Sequence, residues 1–537
     1  MGWGLFPNSL FIIIFYDTLY WERKIDMHFN IDVYTTHITV DNSTEASDLI
    51  EPLLARMIYE DTYATDEILK ERGYIFDTET DTLYLHRGVD LSYLQRLLIN
   101  TKVTIHEHDE FDNMEYEFEE VIPPRDEYQV DIIDFFRGIK GHANSYDKNQ
   151  LLLQAGTGTG KTFTASYGAC SLALKTIIFV HNVELIKQWY NTLIEKHGFP
   201  SKRIHLLTAA ELHLAAINKH QCDADVYIVT HQSFQSAVKR CGSFKVASNM
   251  LKNLRIGLKI IDECHLMFGN ILLIDFLSNV YKSFYLSATP GRSNKDDNSI
   301  FKYVFSSCIR YKRSELSTES VIPKRWVSYN VISLNTETPY SVYKHRVLGR
   351  GNSMNAISYG KFVMQRDQKQ THFKCIRDIL KQTFIKDENS KVIVFVPLID
   401  LVENLTFFLQ TQLSYDESFP YDLKIRPMTS RNTKEEKDYA KKSDVIVTTI
   451  QSCGVGVDLP GLTTAICASP FVSPLTAEQV FGRLRYCGKK CFYYDIIDSS
   501  IPMDINFWRS RRKTFDRLAL EVHSMNYELD PDEENKK

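Results

Sequence analysis

The chain contains no apolar stretch that could cross a bilayer as a helix. Its densest run, Leu10-Phe11-Ile12-Ile13-Ile14-Phe15-Tyr16, falls far short of the roughly 20 residues a spanning helix needs, and no Lys or Arg precedes it as in a secretory leader. Neither a membrane anchor nor a signal peptide is expected. A surplus of positive charge is also missing, since 63 Lys and Arg face 68 Asp and Glu and leave a net −5. No global basic field draws the protein to nucleic acid, so any polyanion site has to be a local stripe. Zinc-ligand spacing is lacking: the closest pair among 10 cysteines, Cys487 and Cys491, has no second pair beside it. The 16 histidines show no ligand spacing either. Scattered thiols fit a reducing, intracellular setting, and 44% hydrophobic content is ample for ordinary cores.

What is present begins at Ala155-Gly156-Thr157-Gly158-Thr159-Gly160-Lys161-Thr162, entered from the apolar Leu151-Leu152-Leu153. A glycine-rich turn between a buried strand and a helix lets backbone N–H groups close on phosphates. Lys161 adds a point charge at the β/γ end, and Thr162 offers its hydroxyl to Mg²⁺. Further on, Ile260-Ile261-Asp262-Glu263-Cys264-His265 ends a second apolar run. There Asp262 is suited to hold the metal and Glu263 to orient or deprotonate a water. Either match alone is weak; together, in this order, they point to a nucleotide-driven machine that uses Mg²⁺.

Around these motifs the grammar is that of an α/β protein. Apolar strand-like runs near 151–154, 176–180, 226–229, 259–261 and 283–287 alternate with helical segments, which implies a parallel sheet covered on both faces. The alternation restarts at 391–396, 445–449 and 465–468. Ahead of both, residues 27–106 read as a small α+β domain, with a helix capped by Asp90 and carried by Leu91, Leu94, Leu97 and Leu98. The expected layout is an extension over 1–26, an accessory domain over 27–106, an acidic solvated linker over 107–124, and motor domains over 125–315 and 316–505. A C-terminal helix and acidic tail fill 506–537.

Leu286-Ser287-Ala288-Thr289-Pro290 completes an ordered set that resembles superfamily 2 helicases and translocases over roughly residues 125–499. The resemblance implies two tandem RecA-like parallel-sheet domains after the small N-terminal domain. It implies that Gln129 reads adenine, that Gly156, Thr157, Gly158, Thr159, Gly160, Lys161 and Thr162 cradle the phosphates, and that His265 couples hydrolysis to Ser287 and Thr289. Phe179-Val180-His181-Asn182 and Thr230-His231-Gln232 resemble strand-tracking motifs, so His181, Asn182, Thr230 and Gln232 are expected on nucleic acid. Leu185 and Trp189 are expected in the core.

Later, Thr448-Thr449 and Gly454-Val455-Gly456-Val457-Asp458 resemble the motif facing both ATP and strand, which assigns Thr448 and Thr449 to the strand and Asp458 to the nucleotide. Gln479-Val480-Phe481-Gly482-Arg483-Leu484-Arg485 resembles the arginine-finger motif. Arg483 is the expected finger; Arg485 stands two residues on where the family's second arginine comes three on.

The element order ahead of the motor resembles UvsW-like phage helicases, which implies a remodeller of branched DNA in recombination or replication. The alternatives are an RNA helicase of viral transcript-release type and an ATP-driven duplex translocase subunit of a nuclease complex. The partner is DNA in the first reading and RNA in the second, without a membrane, and the setting is the cytoplasm, the host's if the chain is viral. The basic stretch Arg509, Arg511, Arg512, Lys513 and Arg517 reads equally as a solvated helix face or a phosphate track.

Overall fold

The computed structural model describes residues 28–62, 68–98, 100–142, 149–155, 159–221, 223–265, 268–287, 303–312, 326–349, 354–416, 419, 421–452, 459, 461–485 and 488–528. The run 10–16, Gly156, Thr157, Gly158, Thr289 and Asp458 lie outside the described residues. The chain divides near Thr318–Glu319 into two compact units.

The first unit opens with β1 (Phe29–Val33), β2 (His37–Asp41), α1 (Ser43–Leu49), the antiparallel pair β3 (Ile58–Thr62) and β4 (Ile68–Arg72), β5 (Tyr74–Asp77), β6 (Thr82–His86), α2 (Leu91–Leu97) and β7 (Thr101–Ile105). A five-stranded mixed sheet runs β5-β6-β2-β1-β7, parallel at its β1–β7 edge and antiparallel elsewhere. In β1, Phe29, Ile31 and Val33 are buried and Asn30 is exposed, the two-residue period of a strand with one well-covered face. Asp90 caps α2 by accepting the Ser92 and Tyr93 N–H groups at 2.9 and 3.2 Å.

The same unit continues with α3 (Glu127–Arg137), β8 (Gln150–Gln154), α4 (Lys161–Leu172), β9 (Thr176–Val180), α5 (Val183–Asn191), β10 (Ile204–Leu206), β11 (Val226–Thr230), α6 (His231–Cys241), β12 (Leu258–Ile261), α7 (Phe268–Phe276), β13 (Lys282–Ser287) and β14 (Ile309–Arg310). These strands form a seven-stranded parallel sheet in the order β10-β11-β9-β12-β13-β8-β14. Strands β9 and β12 are buried along their whole length, as continuous Ile and Val runs require when helices cover both faces.

The N-terminal sheet and the parallel sheet share a core. Ile31, Ile38, Leu83 and Leu85 belong to one hydrophobic cluster with Ile177, Phe179 and Tyr285, and Tyr84 meets Phe244 and Phe276 with ring centroids 5.4 and 6.2 Å apart. A buried polar cluster fixes the register of the two halves. Lys259 Nζ donates to Asp275 Oδ1 at 2.5 Å, Tyr285 OH donates to the same oxygen at 2.9 Å, and His86 Nε2 lies 3.1 Å from Asp275 Oδ2. Thr36 Oγ1 donates to the carbonyls of Asp275 and Ser278, each at 2.8 Å.

The acidic stretch 107–124, expected as a solvated linker, is strapped to the parallel-sheet half instead. The Glu115 and Tyr116 N–H groups donate to Asp225 at 3.0 and 3.1 Å. Arg255 pairs with Glu110 and Asp112 at 2.9 and 2.7 Å, Arg203 pairs with Glu115 at 3.1 Å, and Phe111 stacks on Tyr281. Cations remote in sequence neutralise charges that look repulsive when read locally.

In the second unit, β15 (Val327–Leu334), α8 (Thr371–Lys386), β16 (Val392–Phe395), α9 (Ile399–Ser414), β17 (Ile425–Met428), β18 (Val445–Thr448), β19 (Thr464–Cys467), α10 (Pro474–Phe481), β20 (Cys491–Asp498), α11 (Pro502–Leu518) and β21 (Glu521–Asn526) follow in order. Its seven-stranded sheet runs β17-β18-β16-β19-β20-β15-β21, again all parallel. Strand β21 completes the sheet beside β15, so part of the stretch expected as a C-terminal helix and acidic tail is a strand of the fold. Among the described residues no helix is long and apolar enough to cross a membrane.

The Asp275 cluster yields a stability prediction. Asp275→Ala leaves the fully buried Lys259 without its counter-ion, with only the Ser278 hydroxyl still accepting from it, which costs about 3–5 kcal/mol; the paired change Lys259→Met with Asp275→Leu recovers most of that loss. Urea unfolding of the first unit checks this, and a single-variant loss below about 1 kcal/mol would contradict the assignment.

Candidate nucleotide and nucleic-acid site

The C-terminal ends of β8, β9, β11, β12 and β13 gather the predicted residues of the first unit. Gly160 caps α4 in a left-handed conformation (φ +91°), and a Cβ there would stand 2.3 Å from Gln129 Nε2. A side chain at 160 would therefore be strained and would displace Gln129, which packs against the loop while its Oε1 accepts the Arg125 N–H at 2.9 Å. Asp126 caps α3 through the Gln129 N–H, also at 2.9 Å, and so fixes the helix that carries Gln129.

Lys161 begins α4 and is buried; its Nζ donates to the Ala155 carbonyl at 3.2 Å and lies 3.6 Å from Glu263 Oε1. Asp262 and Glu263 follow β12. Glu263 has a positive φ of +49°, a conformation that costs a non-glycine residue about 1–3 kcal/mol and is held by its surroundings. The Asp262 carboxylate accepts the Trp189 indole N–H on Oδ2 at 2.8 Å and the Glu263 N–H on Oδ1 at 3.0 Å. Burial first, then the neighbouring Glu263 charge, pushes the Asp262 carboxyl up to about 6. His265 Nδ1 is 2.9 Å from Ser287 Oγ and 3.4 Å from Glu263 Oε2, so the imidazole joins the acidic pair to the end of β13.

The residues expected on nucleic acid sit at helix starts. Asn182 caps α5, accepting the Leu185 N–H at 2.9 Å, with its amide 3.1 Å from His181 Nε2. Thr230 caps α6 through the Ser233 N–H at 3.1 Å, and Gln232 in the first turn is exposed. Leu185 and Trp189 are buried as expected. Helix starts that expose N–H groups and short polar side chains suit phosphate and sugar contacts.

The second unit buries two threonines expected on the strand. Thr448 is fully buried and its hydroxyl donates to the Met428 carbonyl at 2.6 Å, so it ties β18 to β17 instead of facing a strand. Thr449 is also buried, and its Oγ1 accepts the Ser452 N–H at 3.0 Å within its own turn. Arg483 lies in the turn after α10, half-buried, and Arg485 is exposed two residues later. The segment carrying them is pinned at both ends. Trp326 Nε1 donates to the Leu484 carbonyl at 2.8 Å, and Arg511 Nη1 donates to the Phe471 carbonyl at 3.1 Å.

Arg511 is no part of a phosphate track: it is fully buried and grips Asp495 with two bonds of 2.9 and 3.0 Å. It sits where α11 turns its covered face, beside Phe515, a helical period that the run of basic residues hides. Trp189 carried a different signal. A buried indole N–H needs an acceptor, and the sequence holds a candidate carboxylate at the end of β12.

The donors fit a magnesium-bound nucleotide. Thr162 and Asp262 offer hard oxygen ligands, Lys161 supplies positive charge, and Gly160 adopts the left-handed conformation at the start of α4.

Family models match both units: the res subunit of type III restriction enzymes over residues 122–292, and the helicase conserved C-terminal domain over 371–487. The chain belongs to the superfamily 2 helicases and is an ATP hydrolase of that class. Among curated relatives it is 22% identical over 350 residues to transcript termination protein A18 of Fowlpox virus (strain NVSL), covering 62% of this chain and 66% of that protein. It is 24% identical over 343 residues to transcript termination protein OPG145 of Vaccinia virus (strain Copenhagen), covering 62% of each. The chain thus spans less than two thirds of these relatives' lengths. A solved structure of Mss116p bound to single-stranded RNA and AMP-PNP shares the fold, with a TM-score of 0.50 and 16% identity, covering 79% of this chain and 83% of that one.

Two substitutions test the site. Lys161→Ala removes the phosphate-facing charge and is expected to abolish ATP hydrolysis with the fold intact by circular dichroism. Glu263→Gln is expected to retain ATP binding and stall; near-normal turnover in either variant would refute these roles.

Proposed function

We propose that this protein is an ATP-driven helicase or translocase that strips RNA from a template, in the manner of transcript release. The observation that carries this reading is the similarity, over 62% of the chain, to two viral transcript termination proteins. Gln129 recognises the base, Lys161 and the loop N–H groups take the phosphates, and Thr162 and Asp262 hold Mg²⁺. A bound ion would supply positive charge against the phosphates there. Glu263 orients the attacking water and takes its proton, while His265, set between Glu263 and Ser287, couples the acidic pair to the end of β13. Arg483 stabilises charge that develops on the γ-phosphoryl oxygens. His181, Asn182, Thr230 and Gln232 take the strand backbone, which grips without reading sequence.

The UvsW-like reading, remodelling of branched DNA, rests on element order ahead of the motor. It is the second proposal, with DNA as the partner. The described free cysteines, most of them buried, support a reducing cytoplasmic setting in either case.

Displacement assays separate the readings. Transcript release predicts that RNA is stripped from a tailed RNA–DNA hybrid at least about tenfold faster than a four-way DNA junction of equal length is resolved, a gap of about 1.4 kcal/mol in barrier. The reverse ratio would favour branched-DNA remodelling, and ATP hydrolysis without displacement of either would favour a duplex translocase. In the same assay Arg483→Ala should lower kcat by about 10³-fold, the size of effect an arginine finger has, with a smaller loss for Arg485→Ala. The opposite order would move the finger to Arg485.

A further inference from the structure

Helix α5 makes polar contacts at both ends, and the two sets have different chemistry. At its head, His181 and the capping Asn182 are the residues proposed to take a strand. About 10 Å further along, at 1.5 Å per residue, it reaches the nucleotide side. Gln188 Nε2 donates to Thr162 Oγ1 at 3.1 Å, and Trp189 Nε1 donates to Asp262 Oδ2 at 2.8 Å. Adjacent positions on one helix thus hold the two side chains suited to ligate Mg²⁺, one on α4 and the other after β12. The helix then widens into a π turn over Thr192–Lys196, with Thr192 Oγ1 donating to the Gln188 carbonyl at 2.7 Å. Such turns interrupt the regular ladder and are frequent at functional sites.

The hydrogen-bond inventory shows what these donors do. A threonine hydroxyl has two lone pairs and one hydrogen; with Gln188 donating into one lone pair, the other is left for a cation. Each Asp262 oxygen accepts one N–H, from Trp189 or from Glu263, and keeps a further lone pair. The amide and the indole therefore orient both ligands without using up their capacity.

We propose that Gln188 and Trp189 are positioning residues that couple strand occupancy at the head of α5 to the geometry of the Mg²⁺ ligands. This rests on the proposed roles of His181, Asn182, Thr162 and Asp262. A strand seated on the head of α5 shifts the helix as a unit, so both donors move together and Thr162 and Asp262 follow. Reciprocally, ligation of the metal sets the helix and changes strand affinity, as linkage between two sites requires.

The test measures that linkage by anisotropy of a labelled 20-nucleotide single strand, with the full chain, at fixed salt, with and without Mg·AMP-PNP. Wild type is expected to change strand affinity by about 5-fold or more when the nucleotide binds. Trp189→Phe keeps the ring and removes the N–H; Gln188→Met keeps length and removes the amide. Each is expected to bind the bare strand within about twofold of wild type and to reduce the coupling ratio to below about 2. Since Trp189 is fully buried, the half-buried Gln188 gives the reading least exposed to loss of fold. Coupling preserved in Gln188→Met and in folded Trp189→Phe would overturn the lever while leaving the proposed function standing. A wild type that binds no strand would overturn both.

Discussion

The carboxylate of Asp262 is the constraint on which the first unit is built. It is a buried acid beside a second buried acid, and burial with that neighbour pushes it up to about 6. Two N–H donors partly offset the cost of keeping it there. A left-handed Glu263 and a P-loop lysine 3.6 Å from that glutamate add further strain and charge to the same few ångströms. A fold that carries such a cluster at the edge of its sheet gives up stability there, and a cation placed against the two carboxylates would relieve the stress.

The opposite end of the same strand is anchored just as firmly. Lys259 on β12 pairs with Asp275 at full burial, and His86 and Thr36 of the N-terminal sheet close on that aspartate and its neighbouring carbonyl. The accessory sheet is therefore bolted to the strand that ends in Asp262, and the two halves share apolar packing. Loss of the N-terminal sheet would strip a core face and leave a buried ion pair without its cover, so this sheet is a structural part of the first unit. In the second unit a comparable arrangement holds the Arg483 segment, with Trp326 and Arg511 each taking one of its carbonyls.

The α/β architecture, both parallel sheets and the gathering of Lys161, Asp262, Glu263 and His265 were legible because they follow from local signals: apolar runs, a glycine-rich turn and acids at strand ends. What stayed hidden depends on partners distant in sequence. The 107–124 stretch looked repulsive because Arg203 and Arg255 lie far along the chain. Arg511 looked like one cation among several, though only its position on α11 faces Asp495. Thr448 matched a motif, yet its hydroxyl is used up inside the sheet. Trp189 was placed in the core correctly, but its bond to Asp262 requires knowing that α5 packs beside the end of β12.

The central claim, that a strained acidic cluster at this sheet edge is a site for Mg·ATP, is tested most directly by thermal unfolding of Asp262→Asn with and without Mg·AMP-PNP. The variant keeps the shape and removes the buried charge. It is predicted to melt at or above the wild-type temperature in the absence of nucleotide and to gain nothing from Mg·AMP-PNP, while wild type is raised by it. A variant that melts well below wild type and is still stabilised by Mg·AMP-PNP would contradict the account.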